Sequence, residues 1–423
     1  MSDSALPRWR DRRFLVLLAL GFSAGLPLPL TAFTLRQWFS ESGVSLGAIG
    51  LTALIGLAYS LKFLWAPVLD HAAPPLFRAL GRRRGWLASI QPVLALAILA
   101  LGLTNPGADA AVTVAVAVAV AFLSASQDIV IDAYRIEVLE EREQGYGLAC
   151  YVWGYRAALL AAGGGALAMA EFGGWSFAFA ACAAMVGVGF AAVLAAPEPG
   201  RAPPEAPPDW AGRLRVAIVE PFADFLRRRY WFAILAFVAL FKLGEALAGI
   251  MTAPFYRELG FSRLEVASVS SVFGLFATLL GALAGGWLVA RIGTGRALVL
   301  TGITQMLSNL MYVALAHAGH DIRMLFAQVG VENFTDGLAD AAFVTYLSAL
   351  TSRSFTATQY ALLSSLAAVP LRTLGASSGW LAEMLGWPNF FLLTTAAALP
   401  AMGIMLWLLK NLPPPPPKET PSG

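Results

Sequence analysis

Two aspartates, Asp128 and Asp132, lie in the stretch SASQDIVIDAYRIEVL, at the end of an apolar run that starts at Ala110 and holds no charge before Asp128. At positions i and i+4 they share one helix face, about 6 Å apart along the axis. A carboxylate in hydrocarbon costs at least ~2.5 kcal/mol at a helix centre, so it persists where it faces a water-filled cavity or a partner. The arrangement recurs 208 residues later, where ENFTDGLADAAF puts Asp336 and Asp340 in a second apolar helix. Acids so placed can carry protons, bridge a gate, or act as structural ions, here with Arg135 and Lys62 as counter-charges. Depth separates the first pair in part. Asp128 lies nearer the membrane centre and reads as a ligand or proton site. Asp132, one turn on, lies near the cytoplasmic mouth beside Arg135, and the two read as a gate pair.

Buried cations add a second kind of chemistry. Arg156 and Arg372 fall deep in apolar spans, where a permanent cation needs an anion, and a guanidinium suits bidentate capture of carboxylates from a substrate. Lys242 has Glu245 three residues away on the same face, so it is expected to pair internally, with cargo as its other candidate partner. Trp153 and Tyr59 near these charges could stack on sugar rings, although aromatic residues in membrane helices also serve as packing and interface anchors. At the cytoplasmic end of the second span, LWAPVLDHAAPPLFRALGRRRGW sets Asp70 before a basic loop that includes Arg82. Asp70 reads as a gate acid, while the arginines fit either a gate or plain topological anchoring. No nucleotide-binding glycine loop precedes a lysine, no His/Cys cluster has metal spacing, and no nucleophile stands beside a base. An enzyme is not expected, nor is any cofactor beyond protons as coupling ion.

The elements that must position these residues follow from composition. The chain has 423 residues, 58% hydrophobic and 13% charged, with a mean hydropathy of +0.68, which is too apolar for a water-soluble globule. An integral membrane protein of roughly twelve helices fits that length. The long continuous apolar runs argue against a β-barrel. The distributed net charge of +3 gives no case for nucleic acid as a partner. Cys150 and Cys182 both fall inside apolar spans, so neither a disulfide framework nor a metal site is indicated.

The expected spans are Phe14–Trp38, Leu46–Leu69, Trp86–Thr104, Ala110–Leu139, Tyr146–Ala170 and Trp175–Ala196, then Tyr230–Tyr256, Leu264–Val289, Ala297–Ala316, Ile322–Leu350, Ala357–Leu385 and Asn389–Leu409. Pro27 and Pro29, with Gly21 and Gly25, make the first span breakable. These spans divide the chain into a six-helix half over 1–196, a Pro-rich cytoplasmic connector over 197–229, a second six-helix half over 230–410, and a disordered tail over 411–423. Arginines before the first span, after the second and in the connector fall on one side. By the positive-inside rule both termini are therefore cytoplasmic, although Arg257, Arg263 and Arg323 fall outside. Two related six-helix halves are the plan of the major facilitator fold, with the substrate site near the midplane. The third, sixth, ninth and twelfth spans lack charge, as lipid-facing helices of that plan should.

Several stretches together resemble the AmpG muropeptide permease family: GFSAGLPLPLT with TLRQW, LKFLWAPVLD, GRRRGW, SASQDIVIDA, KLGEALA and FTATQYALLSSLAAV. The resemblance runs from about Phe14 to Leu408. It implies proton-driven import of anhydromuropeptides from periplasm to cytoplasm across a bacterial inner membrane; a monomer, with the lipid bilayer as its other partner, is expected. The positions it implicates are Lys62, Gln127, Asp128, Asp132, Arg156, Lys242, Glu245, Glu332 and Asn333. On the combined reading Asp128, Glu245, Glu332 and Asp336 are the proton-coupling acids. Gln127, Arg156, Arg372, Lys242, Lys62, Asn333, Trp153 and Tyr59 contact substrate, and Asp70, Arg82, Asp132, Arg135 and Asp340 form gates. Family members commonly carry small residues where this chain has Asp336 and Asp340. A carrier of another anionic cargo such as an acyl-coenzyme A, or a non-transporting receptor for cell-wall fragments, is the alternative.

Overall fold

Long apolar runs in hydrocarbon must satisfy every backbone N–H and C=O internally, and the helix does so within one segment. The structure, a computed structural model, describes residues 11–72, 74–139, 143–199, 223, 226–227, 229–349 and 368–411, with no strand among them. Eight helical segments among the described residues are long and apolar enough to cross a membrane. One of these, Gly147–Ala195, is 49 residues long and turns back at Gly174, whose φ of 77° suits glycine. Leu46–Ser60 is shorter, and Ile322–Ala349 carries several acids. The chain is thus an all-helical, multi-pass membrane protein, and about twelve crossings are consistent with these segments. Most of the connector, the tail from 412 onward and the FTATQY stretch lie outside the described residues.

The chain clusters into two compact units. The first comprises Met1–Ser45, Leu54–Glu205 and Ser262–Ala267; the second comprises Leu46–Ala53, Ala206–Phe261 and Ser268–Gly423. The first crossing is a string of three helices, α1 (Arg12–Gly25), α2 (Pro27–Thr31) and α3 (Phe33–Glu41), interrupted at Leu26 and Ala32. Pro27 opens α2, where its missing N–H does no harm. Asp11 caps α1 by accepting the Arg13 N–H at 2.9 Å. α4 (Leu46–Leu51) packs in the second unit, whereas α5 (Leu57–Ser60) and α6 (Ala66–His71) belong to the first. α7 (Arg82–Gly102), α8 (Ala110–Val138), α9 (Gln144–Ala162) and α10 (Gly164–Ala195) complete the first unit's long helices. The turn between the fifth and sixth crossings thus falls at Gly174, between Ala170 and Trp175 as expected, and a further interruption lies at Gly163. α1 lies so close to α9 that a Cβ on Gly21 would overlap the Tyr151 carbonyl oxygen. Leu17, Leu20, Val130, Ile131 and Tyr134 fill the core beneath α8.

The second unit contains α11 (Trp231–Leu240), α12 (Leu243–Glu258), α14 (Gly274–Ile292), α15 (Thr294–Ser308), α16 (Leu310–Ala318), α17 (Ile322–Ala349), α18 (Ser378–Leu385), α19 (Trp387–Ala397) and α20 (Leu399–Asn411). The short α13 (Arg263–Val266) belongs to the first unit, which takes in Ala267, the first residue of the π-helical turn Ala267–Phe273. Phe237, Phe241 and Phe343 pack the core, the last two stacked at 5.0 Å. α17 lies against α14 at Gly281, where a Cβ would overlap the Phe334 carbonyl oxygen. That close approach fixes the face of α17 that carries the acids.

Candidate functional site

In the first unit, Ser124, Asp128 and Asp132 succeed one another at four-residue steps along α8, and Gln127 lies beside them. The Asp128 Oδ1, Gln127 Nε2, Ser124 Oγ, Tyr59 hydroxyl and Arg135 Nε atoms are all buried without a hydrogen-bond partner. A group left so costs about 1–3 kcal/mol unless water or a ligand meets it. Gln127 is held by its other end, its Oε1 accepting from Ser23 Oγ at 3.4 Å, while Ser23 Oγ accepts from Gln91 Nε2 at 3.5 Å. Lys62 and Asp132 supply the charges nearest Asp128. Asp132 is half exposed and sits 3.8 Å from Arg135, a loose pair. Trp153 is 71% exposed, and Arg156 follows it on the same face of α9. Among the described residues neither the Arg156 nor the Lys62 side chain makes a hydrogen bond or ion pair. This unit therefore offers two cations without a hydrogen bond or ion pair among the described residues, one of which, Lys62, faces Asp128 in its row of unpartnered polar groups.

The second unit is the reverse. α11 stops at Leu240 and α12 starts at Leu243, so Lys242 stands at the break and Glu245 in the first turn, where a carboxylate suits the helix dipole. Lys242 Nζ lies 2.7 Å from Glu245, 2.5 Å from Asp336 and 2.7 Å from Asp340. Three carboxylates thus surround the ammonium, with Asp336 accepting a hydrogen bond from it, and this crowding disfavours a cargo anion there. One cation and three acids sum to −2 when all are ionised. Gln305 Nε2, from α15, donates to Glu245 and, at 3.3 Å, to Asp336. Glu332 accepts from Asn333 Nδ2 at 2.8 Å, and Asn333 is further held by Val329 O and Thr278. Asp340, read as a gate acid, belongs to this cluster. Arg372 lies in helical residues 368–375, with its carbonyl accepting the Ala376 N–H at 3.1 Å.

The expected gate loop is tied to partners that sequence reading missed. Arg83 and Arg82 both bind Glu137, at 2.6 and 3.1 Å, and Arg13 binds Glu143 at 2.8 Å. Glu198 accepts the Arg83 and Arg84 N–H groups at the start of α7. Asp70 falls in α6, and its side chain lies outside the described residues. Arg263 binds Glu41 at 2.7 Å and Glu171 at 3.4 Å within the first unit, with its guanidinium 5.3 Å from the Trp175 ring centre. Outside the membrane, the Arg13 side chain holds the Asp11 carboxyl below the usual carboxylate range. Gln305 could have been suspected, since an amide in TGITQMLSN interrupts an otherwise apolar span.

The family model for the Major Facilitator Superfamily matches residues 240–423, and that for Acetyl-coenzyme A transporter 1 matches residues 13–162. The chain is 41% identical over 408 residues to the anhydromuropeptide permease of Escherichia coli (strain K12), covering 96% of this chain and 82% of that protein. Among solved structures it is similar to a point mutant of the nucleoside transporter NupG, with a TM-score of 0.68 at 15% identity over 94% of this chain and 99% of that one. A POT family transporter in complex with a thioalcohol conjugated peptide gives 0.67 at 13% identity, covering 95% and 96%. These two establish the fold alone.

Proposed function

The chain belongs to the AmpG muropeptide permease family of major facilitator transporters, and from that premise we propose that it imports anhydromuropeptides from the periplasm to the cytoplasm, driven by protons. It does so by alternating access as a multi-pass protein of a bacterial inner membrane, with both termini cytoplasmic. Arg156 and Lys62 take the carboxylates of the cargo peptide, and Gln127 and Tyr59 contribute neutral hydrogen bonds. Protons enter through Asp128 and through the acid cluster around Lys242, which loses one unit of negative charge with each proton taken up. The observation that carries this reading is the contrast between two cations of the first unit without a hydrogen bond or ion pair among the described residues and a lysine surrounded by three acids in the second.

One match favours a second reading. The family model of an acetyl-coenzyme A transporter covers residues 13–162, the part that holds Lys62 and Arg156. An acyl-coenzyme A would present phosphates to the same cations. Uptake of labelled anhydromuropeptide into proteoliposomes, competed with unlabelled anhydromuropeptide or acetyl-coenzyme A, separates the two. The permease reading requires competition by the sugar–peptide alone, and it fails if only acetyl-coenzyme A is transported.

A further inference from the structure

Asn309 is the single residue between α15 and α16. It is 3% exposed, makes no side-chain cap, and among the described residues its carboxamide has no hydrogen-bond partner. An amide offers two donors and an acceptor oxygen, so burying it unmet is costly. The residue lines a small cavity of the second unit whose polar wall is Glu245, Gln305 and Asn309 and whose remaining wall includes Phe241, Gly302 and Met402. Its free space is about that of one water, and a buried water needs two to four polar partners, which these side chains supply. Gln305 has spent its Nε2 on Glu245 and Asp336, which leaves its Oε1 as an acceptor.

We infer that this cavity binds one ordered water, held by Asn309, Gln305 and Glu245, and that this water passes protons to and from the acid cluster around Lys242. The inference rests on the proton-coupled reading above. On uptake, an O–H bond of the hydronium breaks and an O–H bond forms on the Glu245 carboxylate, leaving neutral water on Asn309; release reverses the step. Asn309 is then a positioning residue, since it touches the water and no cargo. The charged groups that face Glu245 are Lys242 on its own segment and Asp336 and Asp340 on α17, with Glu332 one turn before Asp336. α15, α16 and α20 carry only Arg296, His317 and Lys410, all two turns or more from Gln305 and Asn309 along the chain, and α19 carries no charge.

The test uses the full-length protein in proteoliposomes and two readouts: proton uptake evoked by anhydromuropeptide, followed with an internal pH dye, and exchange of labelled for unlabelled cargo. Asn309→Leu fills the space and removes the amide. It should lose about tenfold in evoked proton uptake, the factor carried by one hydrogen bond of ordinary net strength, while cargo exchange stays near wild type. Asn309→Ser, which leaves room for water and supplies a hydroxyl, should recover most of the loss. Wild-type proton uptake by Asn309→Leu overturns the inference. Should Asn309→Leu fail to fold, a density map of the wild-type protein that resolves ordered water decides: a peak within hydrogen-bond distance of Asn309 and Glu245 supports the site, and an unfilled cavity refutes it. Absence of evoked proton uptake in the wild type would overturn proton coupling itself, and the relay with it.

Discussion

Replacing Arg156 by alanine tests the division of labour between the two units. No carboxylate within the described residues is left without its partner by this change, so stability should shift by less than about 0.5 kcal/mol, as for an ordinary surface substitution. The cargo contact is a different matter. A hydrogen bond to a charged group contributes about 1.5–3 kcal/mol, and each 1.4 kcal/mol is a factor of ten, so KM for a carboxylate-bearing anhydromuropeptide should rise roughly 10–150-fold. Arg156→Lys should recover part of that loss, because an ammonium keeps the charge but not the bidentate fork. The decisive comparison is with the same cargo after its carboxylates are amidated, for which wild type and Arg156→Ala should differ by less than about threefold, on the premise that a neutral amide draws little from a guanidinium. Initial rates in proteoliposomes, with thermal unfolding in detergent as the stability control, give all of these values. Equal losses for native and amidated cargo, or a large drop in stability, would show that Arg156 is a structural residue.

Lys242→Met removes the one cation from three acids; breaking a buried pair costs about 3–5 kcal/mol, and the partial exposure of these acids brings the expected loss to about 2–3 kcal/mol. Adding Asp336→Asn should return part of it, and purely additive losses in thermal unfolding would contradict the pairing. Gly281→Leu should destabilise by at least about 1–3 kcal/mol because its side chain meets the Phe334 carbonyl, whereas Gly286→Leu, with open space at its Cβ, should be tolerated. Asp11→Ala should cost about 1 kcal/mol as a lost helix cap. The Asp11 carboxyl is held low in the folded state, so its contribution is complete above the ordinary carboxylate range and disappears as pH falls below it. The wild-type and Asp11→Ala unfolding curves should therefore converge in acid, and a difference that persists there would assign the effect to something other than the carboxylate.

Hydropathy marked the apolar runs, eight of which among the described residues are long enough to cross a membrane, and the 208-residue recurrence marked both acid-bearing helices, because a charge in an apolar run is visible in one dimension. What it could not supply was rotation about each helix axis. Lys242 and Glu245 are legible as a pair from their spacing, yet Asp336 and Asp340 reach the same ammonium from α17, 94 residues away in the nearer case. Gln305 escaped notice because its span carries no formal charge, although one buried face of α15 is polar while Leu300, Ile303 and Leu307 stay exposed on the other. Arg263 weighed only against the charge bias of the loops, and its partners Glu41 and Glu171 belong to other helices. Pro27 and Pro29 marked the first crossing as breakable, and it is interrupted at Leu26 and Ala32; the break at Gly163 was hidden, since an interrupted crossing and a straight one have the same hydropathy.

The most direct test of proton-driven import is the accumulation of labelled anhydromuropeptide in proteoliposomes that carry the wild-type protein and an imposed pH gradient, acid outside. The account predicts accumulation above the external concentration, collapse on addition of a protonophore, and, for Asp128→Asn, cargo exchange without accumulation. Undiminished accumulation after the gradient is dissipated would contradict it.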